Sequence, residues 1–167
     1  LVIGGRDVGE QLVDDPRGAL LSATGSVRMG REVGPRVAQR FGKVLLELGG
    51  NNAAIVTPSA DLDLAVRGIV FSAAGTAGQR CTTLRRVIAH TSVVDTLAER
   101  ISTAYRSLPV GDPFADGTLV GPLIHETGYR DMVGALAQAR ADGGEVTGGE
   151  RVQTGDDGAF YLSLIHI

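Results

Sequence analysis

Cysteine is almost missing from this sequence, and histidines are few and scattered. The 167 residues contain one cysteine, Cys81, and three histidines, His90, His125 and His166. A single cysteine can form neither an internal disulfide nor a thiolate metal site, and the histidines do not have metal-ligand spacing. We therefore expect no bound metal, and we expect the protein to work in a reducing cytoplasm.

Long apolar runs and an excess of basic residues are also missing. No uninterrupted apolar stretch approaches the roughly 18 residues of a membrane-spanning helix, and no signal-peptide pattern is visible. The 16 lysines and arginines are dispersed among 19 acidic residues, which gives a formal net charge of -3. Such a chain has no basic stripe that could neutralise a phosphate backbone. We therefore expect neither a membrane nor a nucleic acid as a partner.

The length and the apolar content of the chain allow a folded core. Hydrophobic residues make up 43% of the sequence, and a single domain of this size buries roughly 70% of its unfolded surface. The sequence opens at Leu1, without an initiator methionine and inside an apolar run. We therefore expect it to be an internal piece of a longer protein.

Short apolar runs alternate with segments of helical periodicity, which predicts an α/β fold with parallel, doubly wound sheets. Strands are predicted at residues 1–3, 19–21, 44–46, 53–56, 84–90 and 145–147. Helices are predicted at residues 8–13, 27–41, 61–74, 92–108 and 129–137, with Asp61 and Ser92 as N-caps. A kink or restart is expected at Gly34-Pro35, and residues 109–121 and 148–158 are predicted to be loops.

Two glycine-bordered breaks in the apolar pattern carry the most distinctive chemistry. Glu47 lies in LLELGGNN, between leucines that we expect to exclude water from its carboxylate, and Cys81 lies in GTAGQRCTT. A lone cysteine is more often a buried apolar residue, and a lone glutamate is more often a solvated one. Together, however, a thiol and a carboxylate are the two groups that covalent oxidation of an aldehyde requires.

The segment TGSVRMG, residues 24–30, joins a predicted strand to a predicted helix. Glycine in such a turn lets the backbone approach a phosphate at the positive N-terminal end of the helix. The segment lacks the G-x-G-x-x-G pattern, and a turn with glycine and serine is also an ordinary helix cap. The residues alone therefore leave phosphate binding and simple capping both open.

The motifs resemble those of the aldehyde dehydrogenase superfamily, in which Glu-Leu-Gly-Gly carries the general base and Gly-Gln-x-Cys carries the nucleophile. The interval from Glu47 to Cys81 is similar to the spacing in that family, and the resemblance covers about residues 1–161. The stretches LGGNNA and TAGQRCTTLRR are most similar to the α-aminoadipic semialdehyde dehydrogenase branch, the antiquitin-like enzymes.

The resemblance implies a domain organisation. Residues 1–47 would end a dinucleotide-binding domain, and residues 48–161 would begin a catalytic domain. Residues 162–167 match nothing comparable in the family, so we expect them to be a cloning or sequencing scar. Relatives are usually dimers or tetramers, which implies a homodimer or homotetramer. Several site residues of the family lie outside this chain, so the isolated 167 residues are expected to be inactive.

The resemblance also implies a role for individual residues. Cys81 would add to the aldehyde carbon, Glu47 would activate the water that hydrolyses the resulting thioester, and Arg80 would bind the carboxylate of an acidic semialdehyde. The cofactor would be NAD, with NADP left open. Its contacts would come from residues of the two glycine-containing turns: Thr24, Gly25, Ser26, Met29, Gly30, Leu48 and Gly49.

Two other functions remain open at this point. Cys81 could pair with His90 or His125 in a cysteine hydrolase, which would turn over esters or amides without a cofactor. Alternatively, the chain could be a folded but inactive piece that serves only in binding or assembly. Aldehyde-dependent formation of NADH, followed at 340 nm, distinguishes the dehydrogenase from both.

Overall fold

A computed structural model of the chain describes residues 1–154 and 158–163. The chain divides into two compact units, one of residues Leu1–Gly50 and one that begins at Asn51. Each contains one pair of parallel strands together with helices, so the predicted α/β class is confirmed. Within the described ranges, no helix combines the length and the apolar character that crossing a bilayer would require.

The N-terminal unit is built from two strand–helix repeats. Its elements are α1 (Arg6–Asp14), β1 (Leu20–Thr24), α2 (Val27–Gln39) and β2 (Lys43–Glu47). The two strands pair in parallel, with Leu20 opposite Lys43 and Thr24 opposite Glu47. Val13 of α1 and Val33 and Val37 of α2 form its core, against Leu21, Met29 and Leu46. The predicted strand at residues 1–3 is absent, because these residues lie exposed without a pairing partner.

Helix α2 ends at Gln39, two residues before the predicted end. Phe41 takes a left-handed backbone conformation with φ of 57°, and its amide donates to the carbonyl of Ala38 while the amide of Gly42 donates to that of Val37. This pair of hydrogen bonds is the Schellman pattern that closes a helix. Pro35 lies inside the single helix Val27–Gln39, so the restart expected at that point does not occur.

The close packing at the end of α2 predicts that alanine has opposite effects on stability at two glycines of this unit. A Cβ at Gly42 would come within 2.9 Å of Cγ1 of Val37, and the Val37 side chain is fully buried and β-branched, so it cannot swing away. We expect Gly42→Ala to lower the free energy of unfolding by about 1–3 kcal/mol. Gly9 of α1 has open space around its Cβ position, so Gly9→Ala should raise it by about 0.5–1 kcal/mol. Urea unfolding measures both, and equal effects would contradict this account.

Partly or fully exposed ion pairs also lie within α1 and between α1 and α2. Arg6 contacts Glu10 and Glu32, each at 2.6 Å, and Arg36 contacts Asp14 at 2.5 Å and Glu10 at 3.6 Å. The hydrogen bond from Arg36 lowers the pKa of Asp14, and the hydrogen bond from Arg6 lowers the pKa of Glu10. Because water screens exposed pairs, they contribute much less than the apolar core between the same helices.

The second unit repeats the strand–helix order and adds a further helix. Its elements are β3 (Asn52–Val56), α3 (Leu62–Ala74), a 3₁₀ turn (Gly75–Gly78), β4 (Leu84–Ala89), α4 (Val94–Ser107) and α5 (Glu126–Ala141). Strands β3 and β4 are parallel. The core consists of Val56, Val66, Ile69, Leu97 and Ile101, which confirms the apolar stripes predicted for α3 and α4.

The ends of these elements differ in part from the expectations. Asp61 caps α3 as predicted, since its carboxylate accepts from the amides of Asp63 and Leu64. Ser92 does not cap α4. Helix α4 begins after Val93, and Ser92 lies in the preceding turn, where its hydroxyl and amide contact Nδ1 of His90. Residues 145–147 form no strand, because only Thr147 takes part in an isolated bridge.

The C-terminal segment is only partly described. Leu162 pairs with Arg151 in an antiparallel bridge, and the amide of Ser163 donates to the carbonyl of Glu150 at 2.9 Å. These two residues of the expected scar therefore contact the rest of their unit. The remaining residues of that segment, 164–167, and residues 155–157 of the predicted loop at 148–158 lie outside the described residues.

Candidate functional site

The turn that leads to Cys81 has an unusual backbone. Thr76, Ala77 and Gly78 follow one another with φ of 54°, 52° and 73°. The left-handed region costs a residue with a side chain roughly 1–2 kcal/mol, so two such residues in succession persist only where surrounding contacts hold them. Strain of this kind is concentrated at functional sites.

The side chain of Gln79 supplies contacts that hold this turn. Its Nε2 donates to the carbonyl of Thr76 at 3.1 Å and to that of Pro122 at 3.2 Å. Its Oε1 accepts from the amide of Ile124 at 2.9 Å. The glutamine of the Gly-Gln-x-Cys motif thus joins the strained turn to the segment before α5, a role that the sequence did not reveal.

Cys81 itself lies just after the turn, with an exposed thiol. The carbonyl of Cys81 accepts a hydrogen bond from Nδ2 of Asn52 at 2.8 Å, and the same nitrogen donates to the carbonyl of Thr83 at 2.9 Å. Both of these side-chain hydrogen bonds of Asn52 go to the cysteine segment. The backbone around Cys81 is therefore fixed while its sulfur remains accessible.

Arg80 is exposed beside the cysteine. A Cβ at Gly75 would overlap Nη2 of Arg80, so the glycine makes room for the guanidinium. Among residues 1–154 and 158–163, no carboxylate forms an ion pair with Arg80.

Glu47 is the last residue of β2, and its main chain is fixed by the neighbouring strand. Its carbonyl accepts from the amide of Gly25 at 2.9 Å. The expected exclusion of water by Leu46 and Leu48 was wrong for this chain, because Glu47 is exposed. Side chains alternate along a strand, so Leu46 turns into the core and Glu47 points to the other face.

Most of the residues expected to contact a cofactor lie where β1 joins α2, at the end of the strand, in the turn and at the start of the helix. Ser26 is the N-cap of α2, and its hydroxyl accepts from the amide of Met29 at 3.1 Å. A Cβ at Gly25 would lie 2.8 Å from Cε of Met29, so glycine allows Met29 to fold over the turn. A Cβ at Gly30 would lie 2.6 Å from Cδ1 of Leu48. The two glycine-containing segments of this unit are thus packed together through Gly30 and Leu48, while Thr24 ends β1 and Gly49 follows β2.

The two described histidines have local roles. Nδ1 of His90 contacts Ser92, and Nδ1 of His125 accepts from the amide of Gly128 as the N-cap of α5. Each imidazole therefore closes its own turn. This arrangement disfavours the cysteine hydrolase, in which one imidazole would have to receive the proton of the thiol.

A cavity of about 590 Å³ opens within the second unit. Its walls include Gly78, Gln79 and Thr83 from the cysteine segment, together with apolar side chains of α3 and α4, but not Cys81. Because Cys81 is not among the lining residues, we do not assign this cavity as the substrate site. In the part of the chain that the structure describes, no group of three or more His, Cys, Asp or Glu residues is placed to hold a metal ion.

The family model for the aldehyde dehydrogenase family matches residues 1–166 of the chain. The chain belongs to the aldehyde dehydrogenase family. The resemblance that the two motifs indicated is therefore confirmed, and the match extends through residues 162–166, which we expected to be a scar.

Relatives and solved structures agree with this assignment. The α-aminoadipic semialdehyde dehydrogenase of Mus musculus is 46% identical over 152 residues, which are 91% of this chain and 28% of the relative. A crystal structure of Mycobacterium tuberculosis aldehyde dehydrogenase complexed with NAD+ matches with a TM-score of 0.91 and 33% identity, over 97% of this chain and 34% of that one. An NADP-dependent enzyme of E. coli matches with a TM-score of 0.84 and 33% identity, over 97% of this chain and 33% of that one.

The chain is short compared with these proteins. It spans 28% of the mouse relative and 30% of the similar protein of Dictyostelium discoideum. The assignment of residues 1–47 and 48–161 to two named domains of the family stays a prediction, although the two compact units divide close to the same place, after Gly50.

Proposed function

We propose that the full-length protein, meaning a protein that contains this chain at the length of its relatives, oxidises an aldehyde to a carboxylic acid. The proposed oxidant is a nicotinamide dinucleotide, and Cys81 is the proposed nucleophile. The observation that carries the proposal is the accessible sulfur of Cys81 on a backbone that Asn52 holds in place. Membership in the family supports the reaction type.

In the proposed chemistry, the thiolate of Cys81 adds to the carbonyl carbon and forms a carbon–sulfur bond. The bound nicotinamide would supply the acceptor for the hydride that leaves this carbon. The product on the protein is a thioester of Cys81. Glu47 then takes a proton from water, the water attacks the thioester, and the acid leaves while the sulfur is freed.

The turn between β1 and α2 suits the phosphates of such a cofactor. Gly25 has no side chain between the backbone and solvent, and the positive end of a helix of 13 residues begins directly after Ser26. Met29 lies over the turn, where its thioether offers an apolar contact to a planar base. We therefore assign cofactor contacts to the junction of β1 and α2 and to the residues after β2: Thr24, Gly25, Ser26, Met29, Gly30, Leu48 and Gly49. NAD and NADP both fit this description.

The test is the formation of NADH or NADPH, measured at 340 nm, when the full-length protein is mixed with an aldehyde and NAD or NADP. Turnover that requires both the aldehyde and the dinucleotide supports the proposal, and parallel assays with NAD and NADP identify the cofactor. Ester or amide hydrolysis without the dinucleotide as the sole activity would favour the cysteine hydrolase. Dinucleotide binding without turnover would favour an inactive binding protein. Light scattering on the same sample tests the expected homodimer or homotetramer.

We further propose that the substrate is an acidic semialdehyde such as α-aminoadipic semialdehyde, with its carboxylate held by Arg80. A guanidinium binds a carboxylate through two parallel hydrogen bonds, and the guanidinium of Arg80 has no carboxylate partner among the described residues. The mouse relative carries the name of an enzyme for such a substrate.

Replacing Arg80 tests this specificity. We expect Arg80→Ala to raise KM for the acidic semialdehyde by about 10- to 100-fold, because a charge-assisted hydrogen bond contributes about 1.5–3 kcal/mol, and to change KM for a neutral aldehyde of similar length by less than about threefold. Arg80→Lys keeps the charge but not the paired donors, so it should fall between the two. Equal increases for both aldehydes would contradict the assignment.

A further inference from the structure

Asn52 opens β3, and its carboxamide reaches the segment that carries Cys81. The amide nitrogen has two hydrogens, and the structure uses both, one on the carbonyl of Cys81 and one on that of Thr83. We infer that Asn52 is the positioning residue for Cys81, and the inference rests on the proposed role of Cys81 as the nucleophile.

The strand pairing explains how Asn52 reaches this segment. Asn52 lies opposite Leu84, but the next residue, Ala53, lies opposite Arg86, so β4 contains one extra residue at this point. A bulge of this kind changes the direction of the neighbouring side chains and interrupts the ladder. Because β3 and β4 are parallel, their first residues share one edge of the sheet, and the residues just before β4 lie beside Asn52.

The carbonyls that Asn52 holds belong to a closed turn. The amide of Thr83 donates to the carbonyl of Arg80 at 3.1 Å, and the amide of Arg80 donates to Oγ1 of Thr83 at 3.1 Å. Thr83 is 3% exposed and is the buried polar residue of this region. Thr83 therefore anchors the turn from inside and Asn52 from the strand, so the main chain of Cys81 is held on both sides.

This arrangement separates the two demands on a nucleophile. The sulfur must be open to the substrate, and the backbone that carries it must not move during the attack. A misplacement of about 1 Å can reduce a rate by about 10²-fold. Without Asn52, the carbonyls of Cys81 and Thr83 would turn to water, and the peptide between Cys81 and Thr82 would be free to rotate.

Hydrogen exchange tests the positioning in the 167-residue chain itself. We expect Asn52→Ala to speed the exchange of the Thr83 and Arg80 amides by about tenfold or more, since two hydrogen bonds that hold the turn are lost. Asn51→Ala is the matched control. The described contact of Asn51 is its main-chain carbonyl, which accepts from Arg86, so this variant should leave both rates within about twofold. Equal rates in the two variants would overturn the inference.

A measurement on the unmodified chain covers the case in which Asn52→Ala does not fold. By NMR, the side-chain amide protons of Asn52 should exchange with water more slowly than those of Asn51, because both protons of Asn52 are bound to carbonyls. Equal exchange of the two side chains would overturn the inference without any substitution.

Kinetics of the full-length protein separate this inference from the proposed function. Asn52→Ala should lower kcat by about 10- to 100-fold with little change in KM for the dinucleotide, whereas Asn51→Ala should match the unmodified protein. If the unmodified protein oxidises no aldehyde, the proposed function fails, while the exchange results still decide whether Asn52 holds the turn. If the unmodified protein oxidises the aldehyde and Asn52→Ala has the same kcat, the positioning role of Asn52 is refuted and the proposed function stands.

Discussion

Cys81→Ser is expected to abolish aldehyde oxidation by the full-length protein. Serine preserves the size of the side chain and a hydrogen-bonding group, but its hydroxyl does not ionise near neutral pH and is a poor nucleophile without an adjacent base. The hydrogen bonds of the two described imidazoles go to Ser92 and to Gly128, within their own turns. We expect kcat/KM to fall by at least about 10⁴-fold, measured as NADH formation at 340 nm.

The cofactor should still bind to this variant. The turn between β1 and α2 lies in the N-terminal unit, and none of its residues is altered. Calorimetric titration with NAD should therefore give an affinity within about twofold of the unmodified protein. Retention of more than a tenth of the activity by Cys81→Ser would show that the sulfur is not the nucleophile, and loss of NAD binding would show that the substitution disturbed more than the thiol.

Much of the fold followed from local patterns in the sequence. The apolar stripe of α4 and the Asp61 cap of α3 required only side-chain spacing and a capping residue, and both are confirmed. The parallel pairing of short strands followed from the helices between them. Such features depend on residues close together in the chain, so the sequence contains all the information that they need.

The failures depended on contacts or backbone conformations that no local pattern records. Phe41 takes a left-handed conformation that phenylalanine rarely adopts, so α2 ends early. His90 engages Ser92, so the expected cap of α4 does not form. The apolar residues 1–3 have the composition of a strand, but a strand exists only where a neighbour pairs with it.

The candidate site shows the same division. The motifs identified Cys81 and Glu47, because the residue types alone indicate a nucleophile and a base. The groups that hold the cysteine segment, Asn52 and Gln79, are separated from their partners by up to 45 residues. The parallel pairing of β3 with β4 was the signal that could have placed Asn52 beside Cys81, since parallel strands bring their first residues to one edge of a sheet.

Glu47→Gln is expected to produce the second large effect, and it separates the two halves of the proposed reaction. Glutamine has the shape of glutamate but cannot take a proton from water, so the thioester of Cys81 should form normally and then persist. Rapid mixing of the full-length variant with NAD and aldehyde should give a burst of about one NADH per site, followed by a steady rate lowered about 10²- to 10⁴-fold.

The control for this variant is Glu47→Asp, which keeps a carboxylate but withdraws it by one methylene from the position that β2 gives it. Its steady rate should lie between those of the parent and Glu47→Gln, because a base must be within hydrogen-bond reach of the water. The exposed position of Glu47 at the end of its strand makes both substitutions compatible with the fold, so Tm should change little. A lowered rate without a burst would show that Glu47 acts during or before hydride transfer. An unchanged steady rate would show that Glu47 takes no part in the reaction.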